Sequence, residues 1–515
     1  MNFLRLQNLR TLVRLIIIFL ICAYLLPIWL FRYIPTQDGP SHIYNSHVLR
    51  EYYSSKYNFR DYYKLNLSLF PNWLSHFSLA LLMIVFPPIT AEKFFLTIYV
   101  IIFPLSIFYF LDSINHSRKL IGLMSFLLIY NYLFLMGFYN FAISVPLVFL
   151  TLGYWWKNKE RITIKRTVLL NLLLAVIFFS HLISYAVILF SISLLSLAHF
   201  RKRVKKILIA FVCILPSSIL LLNYLPSSDL SSGGIPELGF SRTPQLLKEL
   251  ISMRILVSYN EAQSKISYMV SALILCLFIS TLWKDKIACG GTFLKRFSQR
   301  DYFLLLFLVL FILYLILPNS LGPGGWINDR MAIFASIGIL AWFREGDSKW
   351  WKYTFLVLVT VVSLINVAYI GYYFKTLNEE IEEFTSKTEI IERNKIILPF
   401  FFDGFGKSSR VGIFVNAANY YCLNNGGINL GNYEVQFDYF PVKFKESFQP
   451  PIQEKEWVQT IHWRPEEIDI CGYSNNIDYL LIWGNPDETI ASSIQKCYSL
   501  ITSNGRLKIY KPNRF

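Results

Sequence analysis

The sequence is poor in charged residues for its length. Only 16% of its 515 residues are Asp, Glu, Lys or Arg, whereas 54% are hydrophobic. A soluble protein of this size does not need so much apolar surface, and repeated apolar runs of about 20 residues are long enough to span a bilayer. The scarcity of charge therefore argues against an ordinary soluble protein and predicts a multi-pass membrane protein.

Signatures of several other protein classes are also missing. No pair among the seven cysteines has metal-ligand spacing, no segment resembles a nucleotide-binding Gly-rich loop, and there is no internal repeat. The first apolar run lacks a small-residue cleavage site, so we expect it to remain as a helix. A net charge of +16 would suggest nucleic acid in a soluble chain. Here the basic residues cluster between apolar runs, so no nucleic-acid partner is expected.

These basic clusters predict the membrane topology. If the short apolar run 72–87 does not cross, every dense basic cluster between helices falls on one side, and if it crosses, every cluster falls on the other. Cytoplasmic loops carry the excess of Lys and Arg, which favours the first arrangement, with about eleven spans, the N-terminus inside and the C-terminus outside. The predicted spans are 15–34, 91–112, 120–136, 140–156, 167–182, 183–199, 207–224, 266–283, 302–318, 331–343 and 353–374.

The predicted fold class is therefore mainly α, a multi-pass transmembrane helical bundle with a small α/β extracytoplasmic C-terminal domain. The membrane module covers residues 1–375, and its first outer loop, residues 35–90, is expected to carry interfacial helices. Residues 376–515 are expected to form the soluble domain, because short strand patterns replace the long apolar runs.

Two finer features of this domain follow from its sequence. The strand patterns lie at 411–415, 479–483 and 506–510, and a helix is expected over 491–500. If the domain lies outside the cell, one disulfide could join two of Cys422, Cys471 and Cys497.

The stretch after the first apolar run is dense in ionisable groups. Asp38 stands where a membrane helix is expected to end, before a Gly39-Pro40 turn and a short predicted helix. A carboxylate at the water edge of a membrane protein is a candidate functional group, whereas a simple helix cap is the alternative. His42 follows four residues later, so on a helix both side chains could face one site.

Other polar residues collect on the same predicted face. Asn140 and Asn328 could bind sugar hydroxyls or cap helices. Arg330 begins a predicted helix, where it could stabilise a phosphate or be an interfacial arginine whose charged end reaches water. His181 lies at a tight turn between two predicted spans.

The histidines do not form a recognisable metal motif. Three of His42, His47, His76 and His181 could bind a metal, but their spacing does not support one. Scattered histidines at an interface are more often hydrogen-bonded side chains. No metal and no other cofactor is therefore assigned, although a divalent ion stays open.

The chain resembles the GT-C superfamily of polytopic glycosyltransferases over about residues 10–345. The resemblance rests on the acidic residue just after the first helix, in Gln37-Asp38-Gly39-Pro40-Ser41-His42, and on the short apolar helix at 72–87. The short second outer loop around Gly137 to Asn140 and the soluble C-terminal domain are also typical of that family.

The resemblance implies inverting transfer of a sugar from a polyprenyl-phosphate donor to a lipid, glycan or protein acceptor. Asp38 would be the general base. Membrane lipids would surround the enzyme, and a bacterial cytoplasmic membrane with the site on its periplasmic or external side is expected. The residues expected to bind substrate are His42, Asn140, His181, Asn328 and Arg330.

Two other functions remain as alternatives, a transporter or flippase for lipid-linked glycans and a glycan polymerase. Transporters usually place polar groups at the bilayer midplane. Here the predicted helices are nearly free of charge at mid-depth and the polar groups gather at one end. This distribution favours the enzyme.

Overall fold

The computed structural model describes residues 2–114, 120–224, 239–288, 298–320, 324–448, 461, 464 and 467–513. This part of the chain is mostly helical, with a few strands, most of them near the C-terminus. Six of the described helices are long and apolar enough to cross a membrane, which fits the predicted multi-pass membrane protein. They are Leu9–Leu30, Pro88–Ile114, Leu182–Phe200, Val204–Tyr224, Glu261–Lys286 and Lys349–Ile390.

Among the described residues the α-helices follow the apolar runs, and several contain an internal proline, which membrane helices tolerate. The helices are α1 Asn2–Leu30, α2 Gly39–Glu51, α3 Phe59–Tyr62, α4 Leu74–Leu82, α5 Pro88–Ile114, α6 Tyr132–Leu135, α7 Tyr139–Asn158, α8 Ile164–Ser180, α9 Leu182–Phe200, α10 Val204–Tyr224, α11 Thr243–Ile251, α12 Ser264–Ala288, α13 Asp301–Ile316, α14 Ile327–Gly338, α15 Lys349–Thr385 and α16 Glu488–Cys497.

Two of the short apolar runs behave differently. The run 72–87 contains α4, whose 9 residues extend about 14 Å and cannot cross a hydrocarbon core of about 30 Å. The predicted span 120–136 is not one α-helix, because it consists of a 3-10 helix, Ile121–Leu128, followed by the short α6. An apolar composition therefore does not guarantee a continuous α-helix here.

The chain forms two compact units. One unit, called the helical unit below, comprises Met1–Pro27, Thr97–Phe134 and Asn140–Ile370. The other, called the mixed unit, comprises Ile28–Leu96, Leu135–Tyr139 and Gly371–Phe515, so it joins the first loop to the C-terminal segment. The predicted division into 1–375 and 376–515 stays a prediction.

In the helical unit, α8, α9 and α10 pack against one another. A break between two helices is found at His181, where a turn was predicted, and His181 has an extended backbone (φ −159°, ψ 129°) between α8 and α9. This break lets the chain reverse without a loop.

The mixed unit contains a five-stranded sheet of order β3-β2-β5-β7-β6. Strand β2 is parallel to β3 and β5, while β7 is antiparallel to β5 and β6. Alternate residues of β2 and β5, such as Leu398, Phe400 and Ile482, form its buried core. The strands are β2 Ile396–Phe401, β3 Ile428–Asn429, β5 Tyr479–Trp483, β6 Tyr498–Asn504 and β7 Leu507–Pro512.

Three local predictions in this unit have different outcomes. The strands expected at 479–483 and 506–510 are confirmed as β5 and β7. The strand expected at 411–415 is wrong, because the backbone there forms turns, with Ile413 N donating to Val411 O. The helix expected over 491–500 instead covers Glu488–Cys497, and β6 begins at Tyr498.

A second, two-stranded sheet ties the first loop to the C-terminal segment. Strand β1, Tyr63–Leu65, pairs antiparallel with β4, Val442–Phe444.

Of the three candidate cysteines, Cys471 and Cys497 form a disulfide with a Cα separation of 5.6 Å, and Cys422 is a buried free thiol.

Candidate functional site

Helix α2 has a polar face that is buried. Asp38, Ser41, His42 and Asn45 follow a spacing of three and four residues, which places them on one side of the helix. The most accessible of the four, Asp38, is only 7% exposed. Burying polar groups is unfavourable unless they find partners, so their partners determine what this face can do.

The partners come from the C-terminal segment of the same unit. Three asparagine side chains, all buried, hydrogen-bond to three of the four residues on the polar face of α2. The contacts are Asn416 Nδ2 to Asp38 Oδ1 (3.1 Å), Asn419 Nδ2 to Ser41 Oγ (2.9 Å), Asn45 Nδ2 to Asn432 Oδ1 (3.0 Å) and Asn432 Nδ2 to Asn45 Oδ1 (2.9 Å).

Asp38 occupies the N-cap position of α2, but its side chain does not cap the helix. Its main-chain carbonyl instead accepts from the N–H groups of Ser41 and His42, at 3.0 and 3.1 Å. The carboxylate accepts hydrogen bonds from Asn416 and, at 3.3 Å, from Gln37 Nε2. The side chain of Asp38 therefore does not act as the simple helix cap that was the alternative interpretation.

The environment of Asp38 changes its acidity. Burial raises the pKa of this carboxyl to about 6, against the opposing effects of His42 and of the Gln37 hydrogen bond. Glu434 nearby adds to the increase, whereas a hydrogen bond with Tyr433 opposes it. A carboxyl with this pKa can exchange a proton close to neutral pH.

The segment Leu135–Tyr139, which belongs to the same unit, fixes the backbone at Asp38. Asp38 N donates to Met136 O at 3.1 Å. Gly137 has φ +82°, and a Cβ at that position would lie 2.6 Å from Asp38 N. Glycine is thus required here both for the left-handed backbone and for the close approach of the two chain segments.

Next to Asp38 lies a cluster of two histidines and one glutamate. Glu434 Oε1 is 2.7 Å from His42 Nδ1, and Glu434 Oε2 is 2.7 Å from His76 Nε2. The two ring nitrogens are themselves 3.3 Å apart. Burial on its own would raise the pKa of Glu434, but its electrostatic interactions and hydrogen bonds with His76 and His42 outweigh burial and lower the pKa to about 2. These ligand-type atoms could hold a metal ion.

Four predicted site residues belong to the helical unit, and three of them lie near one another there. Ser180, the neighbour of His181, donates through its Oγ to Asn140 O at 2.7 Å. The guanidinium of Arg330 lies 5.5 Å from the ring centre of Phe141, which also packs edge-on against His181. Aromatic rings attract cations at this range.

Asn328, the fourth of them, is used in holding the chain. Its Nδ2 donates to the carbonyls of Tyr314 (2.7 Å) and Leu317 (3.1 Å). Its Oδ1 accepts from Arg242 Nη1 at 3.2 Å. Sugar binding by Asn328 would therefore require these bonds to be exchanged.

Sequence reasoning missed the C-terminal half of the mixed unit's site. No functional residue was predicted in the stretch that contains Asn416, Asn419, Asn432 and Glu434, and the asparagines are 378 to 387 residues from their partners on the polar face of α2. One signal was available, the i, i+3, i+4, i+7 run of polar residues in α2, which requires a polar partner if it is buried.

Comparison with known proteins finds no family model that matches the chain and no curated protein that matches it.

Proposed function

We propose that the chain is a membrane glycosyltransferase of the GT-C type. In this proposal it moves a sugar from a polyprenyl-phosphate donor to a lipid, glycan or protein acceptor, with inversion, and Asp38 is the general base. The observation that carries the proposal is the carboxylate of Asp38. It stands just after the first apolar helix, does not cap α2, and accepts a hydrogen bond from Asn416 that orients it. A base must be held in place by its neighbours in this way to accept a proton efficiently.

The proposal includes a topology of about eleven spans, with the N-terminus inside and the C-terminus outside a bacterial cytoplasmic membrane. Ion pairs in the helical unit support it, because they link loops that are predicted to lie on the same side. Glu160 binds both Arg203 (3.0 Å) and Lys206 (2.8 Å) of the next basic loop. Asp285 binds Arg300 and Arg344, which belong to two different basic loops.

A disulfide in the C-terminal segment supports the proposed side. Disulfides persist in oxidising compartments and are rare in the cytosol. The Cys471–Cys497 bond therefore favours an extracytoplasmic position for this segment, which also supplies Asn416 to Asp38.

Substrate access is part of the proposal. Asp38 is 7% exposed, so an acceptor would reach its carboxylate only after a local opening of the surrounding residues. The predicted role of Arg330, stabilising the phosphate of the donor, stays a prediction.

The test compares wild type with Asp38→Asn, purified in nanodiscs. Release of polyprenyl phosphate is measured from a panel of polyprenyl-phosphate sugars, with membrane extract as acceptor. Removing a general base lowers the rate by about 10²- to 10⁴-fold. Asp61→Asn is the matched control, because Asp61 is an exposed carboxylate in the same loop, and it should retain turnover.

Three outcomes separate the functions. Turnover in wild type and Asp61→Asn but not in folded Asp38→Asn supports the transferase and its base. Turnover that survives Asp38→Asn refutes the role of Asp38. Absence of turnover with every donor, together with transbilayer movement of a lipid-linked sugar, refutes the transferase in favour of a transporter.

A further inference from the structure

We propose that His42, His76 and Glu434 bind one divalent transition-metal ion of the Zn²⁺ type. The proposal concerns ion binding, and its test does not depend on the transferase activity proposed above. Among the described residues, these three form the group whose ligand atoms, one from each residue, lie within 4.8 Å of one another. All three side chains are buried, so the arrangement is not a chance meeting of mobile surface groups.

The separations fit a shared ion. Zinc binds imidazole nitrogen at about 2.0–2.1 Å, so two nitrogens on a tetrahedral ion lie about 3.3 Å apart. His42 Nδ1 and His76 Nε2 are 3.3 Å apart. The two carboxylate oxygens of Glu434 each lie 2.7 Å from one of these nitrogens, so a small outward shift would admit the ion.

Hydrogen bonding at His76 orients the ring as a ligand. Its Nδ1 lies 3.2 Å from Asn72 O, and a carbonyl can only accept, so Nδ1 carries a proton. In neutral His76 the lone pair on Nε2 is then directed at Glu434 and His42. A histidine that donates its second nitrogen to a carbonyl while its first faces the metal is the common arrangement at metal sites.

His42 leads to the same conclusion. Its Nδ1 lies 3.3 Å from His76 Nε2 and 2.7 Å from Glu434 Oε1, so the same nitrogen faces both of the other groups. Two ring nitrogens and a carboxylate thus converge on one point, and without an ion they can approach this closely only by sharing protons. A cation at their centre would replace those protons and satisfy all three groups at once.

The donor set also selects the class of ion. Two imidazoles and one carboxylate suit Zn²⁺ and its neighbours, such as Co²⁺, whereas Mg²⁺ and Ca²⁺ prefer oxygen ligands. Three protein ligands leave a fourth position for water or substrate oxygen. The ligands come from α2, α4 and the C-terminal segment, so the ion would join three segments far apart in sequence.

The test uses the full chain purified without a histidine tag. The protein is stripped with EDTA and titrated with Zn²⁺ and with Co²⁺, and bound metal and the visible spectrum of bound Co²⁺ are recorded. We expect one ion per chain and the strong absorption bands of tetrahedral Co²⁺. Glu434→Gln and His76→Gln should weaken binding by more than about 100-fold, because loss of a group that only hydrogen-bonds to a metal ligand already costs about 10- to 100-fold.

His47→Gln is the matched control. His47 is a buried histidine on the same helix as His42, but its ring packs against Tyr57 and Phe59 and lies outside the cluster. This variant should bind the ion as wild type does. Equal binding by wild type, Glu434→Gln and His76→Gln would place the ion elsewhere and overturn the proposal.

If the ligand variants do not fold, a measurement on wild type alone still tests the site. Ion binding to the folded state stabilises it in proportion to the logarithm of ion concentration. The unfolding temperature of stripped wild type should therefore rise as Zn²⁺ is added. Stripped wild type that neither binds Zn²⁺ nor shows this rise would refute the site.

Discussion

Replacing Asn45 with alanine should loosen the attachment of α2 to the C-terminal segment. The substitution removes both hydrogen bonds between Asn45 and Asn432, together with the bond from Asn45 Nδ2 to Ser41 O at 3.0 Å. It also leaves the Asn432 side chain buried without its amide partner. Two buried atoms of Asn432, Oδ1 and Nδ2, each lose a partner at about 1–3 kcal/mol, and alanine regains roughly 0.6 kcal/mol of helix propensity, so the net loss should be about 1.5–5 kcal/mol.

A double-mutant cycle isolates this pair. Asn45→Ala/Asn432→Ala should cost about 2 kcal/mol less than the sum of the two single variants, because the second change removes the unpartnered amide. The assay is pulse proteolysis in increasing urea, with a C-terminal tag to follow the mixed unit. Ser46→Ala is the control, because Ser46 Oγ donates to His42 O within the same helix, and it should cost less than about 1 kcal/mol.

Two results would refute the reasoning. One is an Asn45→Ala variant as stable as Ser46→Ala. The other is exact additivity in the cycle, which would mean that the two amides do not interact. Either result would remove the basis for placing Asn432 and its neighbours against α2.

Two further predictions concern acid and redox sensitivity. Burial lowers the pKa of His47 to about 4 from 6.5, helped by Lys56 and Arg50 and opposed by Glu51. The unfolded chain therefore takes up this proton first, and up to about 3 kcal/mol of stability should be lost as pH falls from about 6.5 to about 4. Thermal unfolding across this range should show a smaller loss in His47→Gln, and an equal loss would contradict the assignment. Reducing the Cys471–Cys497 disulfide, which closes a separation of 26 residues, should cost about 3–4 kcal/mol. Dithiothreitol should lower the unfolding temperature of wild type but not of Cys471→Ser, and equal shifts in both would contradict it.

Features that depend on local sequence could be predicted well. The apolar runs predict the membrane class, because a helix of that composition needs no distant partner to be recognised. The Gly39-Pro40 turn predicts the start of α2, and the break at His181 is found where a turn was expected. These features are encoded within a few residues of where they occur.

Features that depend on tertiary partners could not be predicted. The apolar run at 120–136 contains a 3-10 helix, although its composition resembles that of a span. Val411 to Val415 has strand-like alternation but pairs with no strand in the part of the chain that the structure describes, and Gly412 N donates to Gln37 Oε1 at 3.2 Å instead. Glu434 had no recognisable spacing from His42, because the two meet only in the folded chain.

The polar face of α2 has a consequence for how the protein is made. Ser41 and its partner Asn419 are separated by 378 residues. At a synthesis rate of about 5–20 residues per second, the helix waits roughly 20–80 s before its partner leaves the ribosome. During that interval its carboxylate, histidines and amides must hydrogen-bond to water, to lipid headgroups or to a chaperone. A nascent chain halted before residue 416 would carry a fully translated Asp38 with no site around it.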